Sequence, residues 1–306
     1  MTTRQDAPEP SPAPRVGVVV PTRGGREALE RAVRSVRAQT FQDWELVLVD
    51  DNGDGPVRER TKALVARAGD PRIRWVPSPG PPGAGRARNL GIRATTAPLV
   101  AFLDDDDTWL AGKLAAQVPL FERPARSGER PVGLVYCGFF AADLETGRVR
   151  LQQPRKLSRA LPAALLWRHA IGTTTVAVCR RDALLDAGLF DERLPARQDV
   201  DLYLRLARDW SFDCVREPLA VHYSYRGARI TNDHAARADA YAILYEKYRG
   251  DLISSRRLHS RFLQKHGREL VKAGRPLEAR DKFRASWRAA PWSLSSLGRL
   301  LRASLA

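Results

Sequence analysis

The sequence of 306 residues predicts an α/β fold, with a mostly parallel sheet flanked by helices and an all-helical C-terminal extension. Two observations lead to this prediction. Over the first third of the chain, short apolar runs alternate with segments whose apolar residues recur at helical spacing. Such alternation is typical of a parallel sheet covered by helices on both faces. Beyond Thr231 the helical spacing continues without strand-like runs, which predicts a separate helical region.

Four strands and three helices are predicted in the first half, from runs of apolar and β-branched residues and from the helical spacing between them. The predicted strands are residues 16–20, 45–49, 72–76 and 99–103. The predicted helices are residues 27–39, 57–68 and 86–94, and the predicted loop before the last helix is the Pro/Gly-rich stretch 77–85. Because the carboxyl ends of parallel strands lie at one edge of the sheet, polar residues that follow these strands are expected to share a cleft.

The second half is less regular and predicts shorter elements. The predicted strands are residues 132–140, 149–151 and 174–178, with a hairpin turn between the first two. The predicted helices are residues 161–167, 181–187 and 200–207. In the helical region, residues 269–291 resemble a single tetratricopeptide-like helix pair. Such a unit cannot bury its own apolar face, so it must pack on the main domain or on a partner.

Composition sets off the two ends of the chain from the main domain. Residues 1–14 carry four prolines and lack the basic start and apolar centre of a secretory signal, so we expect a disordered leader. Residues 226–306 hold 18 Lys and Arg against 7 Asp and Glu, a net charge of +11 within the +16 of the whole chain. Such a surface suits anionic lipid, a phosphorylated substrate or nucleic acid, and a solvated helical face is the alternative.

The cysteines and the hydropathy of the chain indicate the cellular compartment in which it is expected to work. Three scattered cysteines are typical of buried thiols in a reducing compartment, and the sequence contains no apolar run long enough to span a bilayer. The last segment places Leu294, Leu297, Leu301 and Leu305 on one helix face, which predicts either an interfacial helix or a face docked on protein. We therefore expect a cytoplasmic protein, with peripheral contact at the inner face of the plasma membrane.

Four consecutive aspartates, Asp104 to Asp107, directly follow the predicted strand 99–103. Adjacent carboxylates repel one another and raise each other's pKa, and a cation between them removes that penalty. Hard divalent ions such as Mg²⁺ or Mn²⁺ prefer carboxylate oxygens. The strand end is also where ligands bind in open α/β sheets, which favours a cation site over a solvated acidic turn or a helix N-cap.

Two other strand ends carry polar groups that are expected to lie at the same edge of the sheet. They are Pro21-Thr22-Arg23 and Asp50-Asp51-Asn52. Arg86 and Arg88 follow the Pro/Gly-rich loop and can bind phosphate oxygens there. Carboxylates, a metal ion and arginines in one cleft together predict a site for a nucleoside diphosphate.

Five segments, in order, resemble family 2 glycosyltransferases with the GT-A (Rossmann-like) fold. They are residues 18–23 (VVVPTR), 35–41 (SVRAQTF), 45–51 (ELVLVDD), 85–92 (GRARNLGI) and 101–107 (AFLDDDD). The resemblance runs unbroken from about Val16 to Leu114 and continues more weakly to about Tyr225. It divides the chain into a GT-A domain over residues 15–225 and a basic helical extension over residues 226–306. Within the domain, residues 15–114 are the nucleotide-sugar-binding half and residues 115–225 the acceptor half.

The resemblance implies roles for individual residues of the donor half. Pro21, Thr22 and Arg23 match the first nucleotide-contacting loop. Asp51 matches the carboxylate that accepts a hydrogen bond from the base, and Arg88 matches the loop that meets the diphosphate.

The aspartate cluster matches the DXD motif of the family. Asp106 is the predicted metal ligand, and Asp104 and Asp105 are expected to contact metal, ribose or sugar. Asp107 is interpreted as the cap of a helix that starts near Trp109.

The resemblance also implies a catalytic base in the second half. Residues 190–192 (FDE) followed by residues 198–202 (QDVDL) look like the segment that carries an acidic pair before a helix. Asp199 matches the base, while Gln198 departs from the glutamate usual at its position and removes a neighbouring charge. Asp201 is the alternative base or a structural residue at the helix N-terminus. His222 is a conceivable diphosphate contact, although a structural role is the preferred interpretation.

The resemblance therefore implies a metal-dependent, inverting glycosyltransferase of the hexosyl or N-acetylhexosaminyl type, using Mn²⁺ or Mg²⁺. The expected donor is a nucleoside-diphosphate sugar, and a UDP-sugar is the preferred candidate. The expected acceptor group is a hydroxyl, which belongs to a lipid-linked molecule if the basic extension contacts the membrane. No nucleic acid partner is expected. The product would be a cell-surface polysaccharide, a glycolipid or another glycoconjugate.

Two other functions stay open at this point. A nucleotidyltransferase shares a nucleotide site and metal-binding aspartates at a sheet edge, but it would carry a Gly-rich phosphate loop after the first strand, of which only Gly24-Gly25 is present. A catalytically degenerate protein that binds a membrane or another polyanion is suggested by Gln198 and by the charge of the extension.

Overall fold

The apolar runs of the N-terminal half form four parallel strands in the computed structural model. They are β1 Val16–Thr22, β2 Trp44–Asp50, β3 Ile73–Pro77 and β4 Leu99–Phe102. They lie side by side in the order β3–β2–β1–β4. Val19 in β1 pairs with Val47 of β2 on one side and with Phe102 of β4 on the other, and all three are fully buried. The predicted parallel sheet is confirmed in this half.

The structure describes residues 13–24, 27–124, 129–154, 165–166, 170–225 and 233–291. Most of the predicted leader, most of the predicted helix over residues 161–167 and the segment from Leu294 to Leu305 lie outside these ranges. Within the described residues, every helix is too short or too polar to cross a membrane.

The three predicted helices of the first half are present and cover the sheet. They are α1 Glu27–Arg37, α2 Pro56–Ala68 and α3 Ala84–Ala94. The helix α3 packs very closely on β1, because a Cβ atom at Gly91 would collide with the side chain of Val19. This close approach fixes the N-terminal turn of α3 near the carboxyl end of β1, where the predicted site lies.

The second half extends the sheet with antiparallel and parallel pairs. Its strands are β5 Thr108–Trp109, β6 Val132–Asp143, β7 Val149–Gln152, β8 Ala177–Arg180 and β9 Ser211–Ser224. The order continues from β4 through β8, β6 and β9 to β5, and β7 pairs with β6. The pairs β4–β8, β8–β6, β6–β7 and β9–β5 are antiparallel, whereas β6–β9 is parallel.

The helices of the second half lie between these strands. They are α4 Lys113–Gln117, α5 Arg181–Asp186 and α6 Gln198–Leu206. Two predictions are corrected here. The predicted strand 174–178 begins as a 3₁₀ turn, Thr174–Val176, before β8. The helix expected near Trp109 is replaced by the short strand β5, and the next helix begins at Lys113.

The C-terminal extension is helical, as predicted. Its helices are α7 His234–Lys247, α8 Arg249–Ile253, α9 Arg256–Lys272 and α10 Pro276–Ala289. The predicted helix pair corresponds to α9 and α10, which turn at Gly274 with a left-handed φ of 73°. Tyr241, Leu244 and Tyr248 join the hydrophobic core of the main domain. The extension therefore packs on that domain, which is one of the two ways predicted for burying its apolar face.

His266 in α9 makes the extension sensitive to acid. Burial and the charges of Lys282 and Arg275 lower the pKa of His266 to about 4 from 6.5. The unfolded chain therefore binds a proton on this histidine at a higher pH than the folded chain does. We expect this group to reduce stability by about 1.4 kcal/mol per pH unit as the pH falls from 6.5 towards 4, with no effect above 6.5.

Urea denaturation of the native chain and of His266→Phe at pH 7.5, 5.5 and 4.5 checks this expectation. The phenylalanine variant keeps an aromatic ring against Tyr241, whose ring stacks on His266 at 5.8 Å. It should lose less stability than the native chain between pH 6.5 and 4. Parallel losses in the two proteins would show that His266 does not titrate as its surroundings indicate.

Candidate active site

The carboxyl ends of β1, β2 and β4 meet at one edge of the sheet, as predicted. The Thr22 hydroxyl donates to Asp105 Oδ2 at 2.7 Å, and the backbone N–H of Arg23 donates to the same oxygen at 3.3 Å. The backbone N–H of Gly24 donates to Asn52 Oδ1 at 2.7 Å. Asp105 therefore joins the ends of β1 and β4, and Asn52 joins the ends of β1 and β2.

Asp104 is held by an arginine and by a turn of three threonines. Arg88 Nη2 donates to Asp104 Oδ1 at 2.7 Å. The hydroxyls of Thr174 and Thr173 donate to the same carboxylate at 3.1 and 3.2 Å. Burial acts to raise the pKa of Asp104, but the charge and hydrogen bond of Arg88 outweigh it and lower the pKa below its ordinary value. Asp104 is therefore an ionised anchor for Arg88 at neutral pH.

Asp107 does not cap a helix, which corrects the prediction. Its carboxylate is fully buried and accepts hydrogen bonds from the Thr175 hydroxyl at 2.6 Å and from the backbone N–H of Tyr223 at 3.2 Å. His222 Nδ1 lies 3.0 Å from the same carboxylate. Burial raises the pKa of Asp107 in spite of these contacts. Asp107 and His222 thus join β9 to the aspartate cluster, in keeping with the structural interpretation of His222.

Asp106 has the surroundings of a candidate metal ligand. Its side chain is only 7% exposed, and its Oδ2 atom accepts a hydrogen bond from the Tyr225 hydroxyl at 3.1 Å. Among the described residues, His, Cys, Asp and Glu side chains do not gather in a group of three suited to hold a metal ion. Mg²⁺ needs only one or two protein carboxylates where substrate phosphates complete its coordination. The carboxylates of this cluster fit a site of that kind.

The Pro/Gly-rich loop is tied to the end of β2 by Asp51. Asp51 Oδ2 accepts a hydrogen bond from the backbone N–H of Gly83 at 2.7 Å, and its Oδ1 atom lies 3.6 Å from Arg86 Nη2. This carboxylate is nearly buried. Asp51 therefore lies beside the loop that precedes Arg88, where the resemblance puts a base contact.

The N-terminal turns of α3 and α6 meet, which brings Asp199 to the site. A Cβ atom at Gly85 would lie 3.6 Å from Phe190 Cβ and 3.7 Å from Gln198 Cγ. The Asn89 side chain clamps the same segment, because it donates to the Phe190 carbonyl at 2.9 Å and accepts from the Phe190 N–H at 2.8 Å. Asp199 follows Gln198 in the first turn of α6 and is half-buried.

Tyr203 in α6 is a fully buried tyrosine whose hydroxyl feels the charges of Asp199, Asp104 and Arg88. Burial raises the pKa of its hydroxyl, as do the charges of Asp199 and Asp104, while the charge of Arg88 opposes them. All three charged groups are therefore within electrostatic reach of one buried hydroxyl. The predicted base Asp199 and the donor-side residues Arg88 and Asp104 thus lie near the same buried tyrosine.

Asp201 has a structural role instead. Its side chain is fully buried, accepts from Arg205 Nη2 at 2.6 Å and from the Tyr248 hydroxyl at 2.8 Å, and lies 2.6 Å from Lys247 Nζ. Tyr248 and Lys247 belong to the extension. Asp201 therefore couples α6 to the extension, and its oxygens are occupied by these partners.

Replacing Asp201 by alanine is expected to lower the free energy of unfolding by about 3–5 kcal/mol, because Arg205 and Lys247 lose a shared buried carboxylate. Urea denaturation followed by circular dichroism measures the change. Asp209→Ala is the matched control, since this exposed carboxylate lies just beyond α6, and it should change the stability by at most about 0.5 kcal/mol. Equal stability of the two variants would contradict the structural role.

Sequence reasoning missed the threonine turn, Thr173 to Thr175, and the contacts made by Tyr223 and Tyr225. Thr174 and Thr175 fall in the predicted strand 174–178, because β-branched residues favour strands. A run of three hydroxyl side chains after Gly172 is an alternative pattern, because threonine side chains also bond to nearby groups in turns. Here that run supplies the hydroxyl partners of Asp104 and Asp107.

Comparison with known proteins identifies the family to which the chain is similar. The model of the family described as glycosyl transferase family 2 matches residues 17–187. An Escherichia coli protein, UDP-Glc:alpha-D-GlcNAc-diphosphoundecaprenol beta-1,3-glucosyltransferase WfgD, is 30% identical over 105 residues, which cover 34% of this chain and 40% of that protein. The amylovoran biosynthesis glycosyltransferase AmsB of Erwinia amylovora is 24% identical over 74% of this chain and 75% of its own.

Solved structures show the same fold at low sequence identity. The S. aureus TarS 1-349 structure covers 94% of this chain and 80% of its own, with a TM-score of 0.60 and 15% identity. The mannosyltransferase PcManGT from Pyrobaculum calidifontis, in complex with GDP-Man and Mn²⁺, covers 98% and 82%, with a TM-score of 0.59 and 19% identity. The GT-A fold predicted from the sequence is confirmed by these neighbours.

Proposed function

The chain belongs to glycosyl transferase family 2, and from that premise we propose that it transfers a sugar from a nucleoside-diphosphate sugar to an acceptor hydroxyl, with inversion at the anomeric carbon. The sugar would enter a polysaccharide or a related glycoconjugate. AmsB, named for amylovoran biosynthesis, and WfgD, named for a diphosphoundecaprenol-linked acceptor, support this class of product.

The observation that carries the proposal is the convergence of separate segments on one aspartate cluster. Thr22 bonds to Asp105 from β1, and Arg88 bonds to Asp104 from α3. The first turn of α6, with Asp199, packs against the first turn of α3 through Gln198 and Gly85. A donor sugar held at the aspartates would thus have a carboxylate on its acceptor side.

The nucleotide part of the donor is proposed to lie along the ends of β1 and β2. Pro21 and Thr22 end β1 and Arg23 follows it. Asp51 is the proposed partner of the base. We propose a UDP-sugar as the donor. Two structural neighbours support a nucleotide sugar, since TarS 1-349 was solved in complex with UDP-GlcNAc and PcManGT in complex with GDP-Man.

A divalent cation, Mn²⁺ or Mg²⁺, is proposed to be held by Asp106, with Asp104 and Asp105 beside it. When bound, such an ion stabilises negative charge on the diphosphate leaving group. The buried carboxylate of Asp106 supplies the hard oxygen ligand that these ions prefer. The PcManGT complex with GDP-Man and Mn²⁺ supports a divalent cation in this fold.

The proposed chemistry is a single displacement. Asp199 accepts the proton of the acceptor hydroxyl while the hydroxyl oxygen forms a bond to the anomeric carbon. The bond from that carbon to the diphosphate oxygen breaks, and the nucleoside diphosphate leaves with the electron pair. Arg88 lies beside Asp104. There its guanidinium would stabilise the negative charge that develops on the leaving group. Attack opposite the leaving group inverts the anomeric configuration.

A screen for thermal stabilisation identifies the donor. The chain is heated with each common nucleotide sugar, and with each nucleoside triphosphate, in the presence and absence of Mn²⁺. The proposal expects one family of nucleotide sugars to raise the melting temperature in a Mn²⁺-dependent way. Stabilisation by nucleoside triphosphates alone would instead favour a nucleotidyltransferase.

A further inference from the structure

Arg197 is a buried arginine whose guanidinium lacks hydrogen-bond partners on one edge. The residue is 7% exposed, and both its Nε and its Nη2 atoms are buried without a partner. Its guanidinium carbon lies 4.5 Å from the centre of the Tyr241 ring in α7. Tyr241 thus covers the flat face of the guanidinium, while the edge that donates hydrogen bonds is left unpaired.

The Nε and Nη2 donors lie on the same edge of a guanidinium and together bind one carboxylate or phosphate. Among the residues that the structure describes, five other arginines place that edge against a carboxylate. These pairs are Arg72–Asp70, Arg74–Glu45, Arg193–Asp191, Arg205–Asp201 and Arg275–Glu278. In Arg197 the same edge is buried without an anion, although an unpaired buried donor is costly.

The surroundings of Arg197 carry an excess of positive charge. Lys265 in α9 is within electrostatic reach of Arg197, Arg268 and Arg237, and burial together with these charges lowers the pKa of Lys265 to about 8. Glu269 brings one negative charge, but it already pairs with Arg237 at 3.1 Å and lies 3.0 Å from His234 Nδ1. A bound anion would reduce the repulsion among these positive charges and would accept hydrogen bonds from the unpaired edge of Arg197.

The position of Arg197 relates this cationic site to the reaction. Arg197 stands two residues before Asp199, at the start of α6, with a left-handed φ of 59°. Its side chain lies against α7 of the extension, whereas Asp199 lies on the side of Arg88 and Tyr203. Because the two residues are only two positions apart, one extended molecule can contact both of them. We therefore assign the anion at Arg197 to the acceptor, the molecule that Asp199 is proposed to deprotonate.

We propose that Arg197 and Lys265, with Arg237 and Arg268 around them, bind a phosphate or diphosphate group of the acceptor. This inference rests on the proposed sugar transfer, because it names the acceptor class of that reaction. An acceptor sugar linked to a diphosphate would place its hydroxyl at Asp199 and its phosphates at Arg197. Because the free edge is covered, neighbouring side chains must move aside as the anion binds.

Calorimetric titration with inorganic pyrophosphate tests the site directly. EDTA is present so that metal ions do not carry pyrophosphate into the donor site. The native chain is expected to bind, and Arg197→Gln and Lys265→Gln should each weaken binding at least tenfold. Arg197→Lys keeps the charge but loses the two-donor edge, so it should also bind more weakly than the native chain.

Arg67→Gln is the matched control, because this exposed arginine in the last turn of α2 lies in another part of the fold. It should bind pyrophosphate as the native chain does. Circular dichroism checks that each variant is folded. If Arg197→Gln does not fold, the binding measured with Lys265→Gln decides the test. Absence of binding by the native chain, or unchanged binding by a folded Arg197→Gln, would overturn the proposal.

Release of nucleoside diphosphate from the donor, measured in parallel, separates this inference from the proposed function. If the native chain releases nucleoside diphosphate but does not bind pyrophosphate, the phosphate site is wrong and the proposed transfer stands. If it binds pyrophosphate through Arg197 but no donor is ever cleaved, the proposed function fails and the assignment to the acceptor fails with it.

Discussion

Replacing Asp199 by asparagine is expected to lower kcat for sugar transfer by about 10²–10⁴-fold, because the amide cannot accept the acceptor proton. The KM for the donor should change little, since Asp199 is proposed to act on the acceptor hydroxyl and not to bind the nucleotide. Initial rates of nucleoside diphosphate release at varied donor concentrations give both constants.

Asp209→Asn is the control for this experiment. It removes an exposed carboxylate just beyond the end of α6 and should leave kcat unchanged. Full turnover by Asp199→Asn would place the base elsewhere. Asp201 would not be the replacement, because its oxygens are engaged by Arg205, Lys247 and Tyr248.

Replacing Asp106 by alanine is expected to remove most of the metal-dependent activity. Loss of a metal ligand gives up several kcal/mol of charge stabilisation in the transition state, which corresponds to roughly a 10²–10³-fold loss of kcat/KM. The variant should also lose Mn²⁺-dependent stabilisation by the nucleotide sugar. Transfer rates and melting temperatures across a Mn²⁺ titration measure the two effects.

Asp54→Ala serves as the control for Asp106, because the Asp54 side chain is almost fully exposed and pairs with Arg58 in α2. Its Mn²⁺ response should match that of the native chain. If Asp106→Ala kept both its rate and its Mn²⁺ response, the metal assignment would be wrong and Asp104 or Asp105 would be the next candidates.

The N-terminal half could be predicted from sequence because its strands are buried on both faces. Such strands consist of short continuous apolar runs, as in Val16–Thr22 and Trp44–Asp50, and they need no knowledge of distant residues. The helices between them show regular apolar spacing, as in α1, where Leu29, Ala32, Val33 and Val36 are all buried. The position of the strand ends at one edge of the sheet then follows from the parallel topology alone.

The second half could not be predicted as fully, because its longest strands depend on partners far along the chain. The strand β9 was not assigned from sequence, since Arg216, Glu217 and Pro218 interrupt its apolar pattern. It forms because it pairs with β6, and the register shifts near Gly138 accommodate the interruption. Propensity is overridden there by tertiary pairing.

The same limit applies to the site. The polar groups at the ends of β1, β2 and β4 were predicted to lie together, and Thr22 with Asp105 and Gly24 with Asn52 do. The contacts of Asp107 with Thr175 and His222 join positions 68 and 115 residues apart, so no local pattern could indicate them. The roles of Asp51, Asp106 and Asp199 stay predictions, as do the cytoplasmic location and the membrane contact.

The most direct test of the account is a coupled assay with the stabilising nucleotide sugar, carrying a labelled sugar, and a diphosphate-linked lipid acceptor in Mn²⁺. The account predicts that nucleoside diphosphate is released in equal amount to the label transferred, and that both stop in EDTA. The anomeric configuration of the product should be opposite to that of the donor. Release of pyrophosphate from a nucleoside triphosphate, with no cleavage of any nucleotide sugar, would contradict the account.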